Sequence, residues 1–232
     1  MADLSVFPVT GRWRPTHPDR IQLYSFPTPN GVKVSAALEE LALPYEAHRI
    51  DILADETWTQ DYLALNPNGK IPAIIDPDGP SDAPIVLFES GAILLYLAEK
   101  TGKLLPTDPA RRHETIQWLF FQNSFVGPIF GQFGWFHRFA GCEIEDRRPH
   151  DRFLGETRRL LGVLDQRLKG REWIMDGDFT IADLSLFGWV RALLEIYDAK
   201  AAVSFDDLNA LPAWLERVLA RPAIQRGLAI PS

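Results

Sequence analysis

The sequence predicts an α/β domain followed by an all-α domain. Three observations lead there. Short apolar, strand-like runs alternate with helix-periodic segments up to about residue 100, and the remainder of the 232 residues is almost wholly helix-periodic. Between the two, Gly102, Pro106 and Pro109 break the pattern. The divisions that follow are an N-terminal extension over 1–20, an α/β domain over 21–100, a linker over 101–108 and a helical domain over 109–232.

Residues 1–20 carry Pro8, Pro15, Pro18 and Gly11 among scattered charges, which suits an extended appendage better than a strand or helix. From Ile21 to Phe26 the chain is strand-like. Gly31 to Leu43 is helix-like, with Val34, Leu38 and Leu41 on one stripe, and Tyr45 to Ile50 is strand-like again, giving a β-α-β unit. A short helical stretch over Thr57 to Leu65 runs into the turn Asn66-Pro67-Asn68-Gly69. The apolar run Lys70-Ile71-Pro72-Ala73-Ile74-Ile75-Asp76 and the strand Ile85 to Phe88 come next. A helix then opens near Ser90 and carries Ile93, Leu94, Leu95 and Leu97.

In the second half, helices are expected over Arg111 to Phe125, Asp151 to Leu168, Ile181 to Tyr197 and Pro212 to Leu219. The start at Thr180-Ile181-Ala182-Asp183 is a capping box, with Phe179 and Leu184 placed as its hydrophobic staple. Between Phe120 and Ala140 the chain is dense in Phe, Trp, Gly and Gln. Such a segment either lines a groove or interface or packs the core.

A hydrophobic content of 46% is ordinary for a soluble globular chain. The formal charge of −7 argues against nucleic acid or an anionic membrane as partner, because both call for a basic face. A single cysteine, Cys142, excludes a disulfide framework, a C-x-x-C pair and a thiolate metal site within one chain, and no metal is expected. The first residues lack a basic segment followed by an apolar stretch, and no apolar run of membrane-spanning length occurs. A cytoplasmic protein is the expectation.

Two motifs carry the functional signal. A cis bond between Ile71 and Pro72 would turn the main-chain N–H and C=O of Ile71 outward to pair with an extended peptide. Glu89 and Ser90, at a helix start, would meet a carboxylate where free N–H groups and the positive dipole end converge. Together they describe a clamp for a small anionic peptide.

The β-α-β-α-β-β-α half with its Pro-opened third strand, joined to a helical half carrying Thr-Ile-Ala-Asp, resembles the cytosolic glutathione transferase family over about residues 21–225. Thr28-Pro29-Asn30-Gly31, Asn66-Pro67-Asn68-Gly69-Lys70-Ile71-Pro72-Ala73-Ile74 and Phe88-Glu89-Ser90-Gly91-Ala92-Ile93-Leu94-Leu95-Tyr96-Leu97 look like its Nu class. That class comprises bacterial glutathione-dependent disulfide reductases related to the yeast nitrogen-regulator prion protein. Gln117-Trp118-Leu119-Phe120, Gly127-Pro128-Ile129 and Gly131-Gln132 extend the likeness into the second domain. The resemblance implies a thioredoxin-like N-terminal domain, a C-terminal helical bundle and a homodimer, with glutathione or glutathione disulfide bound and a hydrophobic or disulfide small molecule as second substrate.

By the same resemblance, Thr28 and Asn30 are the catalytic candidates, each able to donate a hydrogen bond that holds the glutathione sulfur as thiolate. Read without it, Thr-Pro-Asn-Gly is a turn and helix cap. The main chain of Ile71, beside cis Pro72, would bind the cysteinyl backbone; Glu89 would take the γ-glutamyl ammonium and Ser90 its carboxylate. Lys70 would reach the glycyl carboxylate, or stay solvated. Arg152 matches a glutathione-contacting arginine, with a surface ion pair as the rival role. Where Nu-class chains carry a glutathione-contacting Gln, this one has Thr57. Tyr24 reads as a packing residue, Cys142 as incidental, and Thr180 with Asp183 as a fold-forming cap. The implied activity is reduction of disulfides or peroxides by glutathione. Conjugation or ether cleavage on an aromatic electrophile, and a non-catalytic binding module, are the alternatives.

Overall fold

Leu4 and Val9 are buried against the first domain, so the expected extended appendage is corrected. In this computed structural model, which describes residues 3–231, Leu4–Val6 forms a 3-10 turn and Val9–Arg12 a one-turn helix, α1. Leu4 and Val9 share a core cluster with Tyr24, Ile50, Tyr62, Leu65, Ala73 and Ile75. The prolines allow this because Pro8 precedes α1, where no helical N–H is needed. Thr10 Oγ1 ties the turn by donating to the carbonyls of Leu4 at 3.0 Å and Phe7 at 2.9 Å.

The α/β part then follows in the expected order: β1 (Ile21–Ser25), α2 (Gly31–Glu40), β2 (Tyr45–Arg49), α3 (Gln60–Leu63), β3 (Ala73–Asp76), β4 (Ile85–Phe88) and α4 (Ser90–Thr101). The strands lie in the order β2-β1-β3-β4. β1 runs parallel to β2, which α2 makes possible as a crossover, while β1–β3 and β3–β4 are antiparallel. The two central strands are buried at every position and the edge strands only in part. Burial on both faces suits the apolar core of Ala73–Ile75, and it also takes in the polar Gln22, Ser25 and Asp76. The result is a thioredoxin-like mixed sheet.

The chain divides into two units, one running from the N-terminus to Thr101 and resumed from Pro222, the other Gly102–Arg221. The second is helical: α5 (Pro109–Phe121), a π-helical stretch Gln122–Val126, α6 (Gly127–Arg138), α7 (Arg148–Leu168), α8 (Ile181–Glu195) and α9 (Leu211–Leu219). Helix α8 is buried along nearly its whole length and begins with the expected capping box. Asp183 accepts from Thr180 N at 3.1 Å, Ile174 N at 3.0 Å and Trp214 Nε1 at 2.8 Å. Hence one carboxylate ties the start of α8 to the preceding loop and to α9. The aromatic-rich stretch divides: Phe130 and Phe133 are core, whereas Phe120, Phe125, Trp135 and Phe139 are exposed.

The last helix, α10 (Pro222–Leu228), lies with the first unit and packs on α2. Arg226 Nε meets Glu39 Oε2 at 2.6 Å. Among the described residues no helix is long and apolar enough to cross a membrane.

Candidate active site

The register of the sheet gathers the sequence motifs. Tyr24 pairs with Ala73, and Ala73 with Phe88. Because β3 is antiparallel to both neighbours, the last residues of β1 and β4 lie beside the first of β3. The connections leaving those ends are Phe26–Asn30, Lys70–Pro72 and Glu89–Ser90, so three segments far apart in sequence meet at one end of the sheet.

The first connection is tight. A Cβ on Gly31 would lie 2.0 Å from the carbonyl oxygen of Phe26 and 2.6 Å from Ser25 Oγ, so only glycine can occupy the opening of α2 here. Gly31 N donates to Thr28 Oγ1 at 3.2 Å, which is the cap that the turn-like sequence foretold. A hydroxyl that accepts in this way still has its own hydrogen to give. Asn30, by contrast, makes no capping bond with its side chain. Its Oδ1 instead accepts from Lys33 Nζ at 2.7 Å.

Lys33 is wholly buried, an unusual place for a lysine. Its Nζ also lies 3.2 Å from Ser90 Oγ, linking the start of α2 to the start of α4. Burial holds this amine well below the usual lysine range, and the charge of Glu89 opposes that shift.

The second connection carries the cis bond Ile71–Pro72. The Lys70 carbonyl just ahead of it accepts from Tyr62 OH at 2.7 Å and Asn66 Nδ2 at 2.7 Å. Asn66 Oδ1 also accepts from Asn68 N at 2.9 Å, and Gly69 takes φ +61°, where a Cβ would lie 3.0 Å from the Trp58 ring. Ile71 is half-buried and the Lys70 residue exposed. The third connection places Glu89 at φ +69°, a left-handed conformation that costs a non-glycine residue about 1–3 kcal/mol. Buried Ser90 then opens α4, whose first N–H groups, with those of α2, supply positive potential within a chain of net charge −7.

The remaining candidates lie outside these three connections. Tyr24 is fully buried in a parallel stack on His48, 4.8 Å between ring centres, and its hydroxyl has no hydrogen-bond partner. Desolvation raises that phenol, with Glu46 adding to the effect, so Tyr24 is a packing residue as expected. Thr57 is buried in a 3-10 turn. Cys142 is free and exposed. Arg152 is exposed on α7 in the second unit. Among the described residues no group of three or more His, Cys, Asp or Glu is placed to hold a metal ion.

Comparison with known proteins is decisive at this point. The glutathione S-transferase N-terminal domain matches residues 28–100 and the C-terminal domain of the same family matches residues 134–222. The chain belongs to the glutathione S-transferase family. The transferase is 39% identical to the disulfide-bond oxidoreductase YfcG of Escherichia coli over 212 residues, 90% of this chain and 94% of that one. Among solved structures, a glutathione transferase from Pseudomonas putida with one glutathione disulfide bound per subunit superposes with a TM-score of 0.98. It shares 54% identity and full coverage of both chains. One from Burkholderia graminis, with two glutathione molecules per subunit, gives 0.98 at 55% identity, covering 100% of this chain and 97% of the other.

Three residues around these connections were not anticipated from sequence. Lys33, three positions after Asn30, lies on the same helical face as Asn30, but nothing in the string marks it as buried. Tyr62 and Asn66 both hold the Lys70 carbonyl. Asn66 reads as part of a turn, and its amide had no predictable partner four residues on.

Proposed function

We propose that this chain is a Nu-class glutathione transferase that reduces disulfides with glutathione, acting as a cytoplasmic homodimer. Asn30 carries the reading. With its Oδ1 occupied by Lys33, the amide turns its Nδ2 edge to the other side, where it can donate to a sulfur at the opening of α2. Thr28 supports it with a hydroxyl hydrogen left over from capping Gly31. A free thiol near pKa about 8.5 is mostly protonated at neutral pH, and two donors plus the helix dipole favour the thiolate.

In this scheme the Ile71 main chain pairs with the cysteinyl backbone, Glu89 receives the γ-glutamyl ammonium, and Ser90 its carboxylate. Lys70 and Arg152 serve the glycyl carboxylate and the outer part of the ligand. One thiolate attacks a substrate disulfide, forming a mixed disulfide with glutathione and releasing the substrate's other half as thiolate. A second glutathione thiolate attacks the mixed disulfide, yielding glutathione disulfide and the remaining substrate thiolate. The enzyme supplies orientation and anion stabilisation and needs no cysteine of its own. The disulfide-bond oxidoreductase name of YfcG and the one-disulfide and two-glutathione complexes of the structural relatives support this chemistry. The exposed, unpaired Cys142 suits a reducing compartment.

The test is turnover of a small dithiol-type disulfide with glutathione, compared between the wild type, Asn30→Ala and Thr28→Ala. Loss of one anion-stabilising donor is expected to lower kcat by about 100-fold for Asn30→Ala. Rates and pH profiles unchanged in both variants would refute the thiolate role.

A further inference from the structure

We propose that Lys33 is a positioning residue for disulfide reduction, holding the Asn30 amide in the orientation that presents N–H to the sulfur. The inference rests on the function proposed above and extends it to a fully buried residue. An asparagine side chain offers one acceptor and one donor end of nearly equal size, and rotation by half a turn exchanges them. For a thiolate the exchange is severe, since it would point a carbonyl oxygen at an anion. Something must therefore break the near-symmetry.

Lys33 Nζ does so at 2.7 Å from Oδ1. Whether ammonium or neutral amine, lysine can donate to an amide oxygen, while an ammonium cannot accept from the amide N–H. The helix supplies the alignment, because a side chain at i+3 from Asn30 lies above it on the same face. The same Nζ lies 3.2 Å from Ser90 Oγ, so one buried group sets the polarity of side chains at two helix starts. With Lys33 donating to Ser90, the serine hydrogen is directed away from Nζ. Full burial keeps the lysine from being drawn off by water.

The experiment is a double-mutant cycle between Lys33 and Asn30. Lys33→Met keeps the volume and removes the donor; Lys33→Gln restores a donor of shorter reach and serves as the second variant. Circular dichroism and thermal unfolding establish that each is folded. Lys33→Met is expected to lower kcat by about tenfold, as loss of an orienting outer partner does. It is also expected to raise the pKa of bound glutathione, read from thiolate absorbance in the ultraviolet, with Lys33→Gln recovering part of both. In the Asn30→Ala background, Lys33→Met should cause no further loss of kcat, and what is transmitted through Ser90 falls on the KM for glutathione. A folded Lys33→Met with unchanged rate and unchanged thiolate titration overturns the inference, as does a loss that adds fully to that of Asn30→Ala. Should Lys33→Met not fold, Lys33→Gln with losses fully additive to Asn30→Ala overturns it as well. If Asn30→Ala itself is fully active, the function proposed above fails, a result distinguishable from failure of the Lys33 role alone.

Discussion

Ser35 Oγ donates to the carbonyl oxygen of Gly227 at 2.6 Å, joining positions 192 apart in sequence. The contact works because Gly227 has no side chain. A Cβ there would lie 2.5 Å from the α-carbon and 2.6 Å from the nitrogen of Ala36, both backbone atoms that cannot give way. Gly227→Ala should therefore lever α10 off α2 and destabilise the first unit by about 1–3 kcal/mol, the range for overpacking. Thermal unfolding of the purified variant checks this, with a clear fall in Tm expected.

Tyr24 offers a test with the opposite sign. Its hydroxyl is buried without a partner, so Tyr24→Phe removes an unsatisfied polar atom at no cost in shape. Stability should be unchanged or higher by about 1 kcal/mol, with full activity against a small disulfide. A large fall in kcat would instead place the phenol in the chemistry.

Asn66 acts one step from the ligand. Losing its amide leaves the Lys70 carbonyl with Tyr62 OH and removes the acceptor for Asn68 N. In Asn66→Ala the segment ahead of Ile71 loosens, and the KM for glutathione should rise about fivefold, the equivalent of one hydrogen bond of about 1 kcal/mol. The kcat should change less, because Asn30 and Thr28 are untouched. Steady-state kinetics with glutathione as the varied substrate separates the two.

Asp183 makes stability depend on pH. Burial pushes its carboxyl up to about 6 from 3.8, outweighing hydrogen bonds from Ile174, Trp214 and Thr180 that pull it down. The folded state therefore holds this proton more tightly than the unfolded chain. The resulting stabilisation is complete below about pH 4 and is lost as pH rises through about 6. Asp183→Asn cannot titrate, so the stability of the wild type relative to this variant should decline across that window. Urea midpoints measured at intervals between pH 4 and 7 show whether it does.

Local signals carried far in this chain because each rests on short-range chemistry. Strand and helix order followed from apolar periodicity, the α8 start from the four residues Thr180–Asp183, and the helix openings at Gly31 and Ser90 from turn residues next to apolar runs. Legibility stopped where one string can serve two environments. The prolines of residues 1–20 read as an arm because burial of Leu4 and Val9 depends on a hydrophobic cluster drawn from four later segments. The stretch Phe120–Ala140 left core and surface undecided, and the structure assigns Phe130 to one and Phe125 to the other. The final helix reads as part of a helical half, yet Gly227 is shaped to fit Ala36.

The candidate site divides in the same way. From the sequence came the candidates: Ile71, Pro72, Glu89 and Ser90 in motifs whose residue types suit an anionic peptide, and Thr28 and Asn30 through the family resemblance. Tertiary structure alone decided how they are arranged, because the pairing Tyr24–Ala73–Phe88 is a register between distant strands and no local pattern encodes it. The orientation of Asn30 depends on the structure in the same way, since an amide has two nearly equivalent ends and the buried amine of Lys33 selects between them.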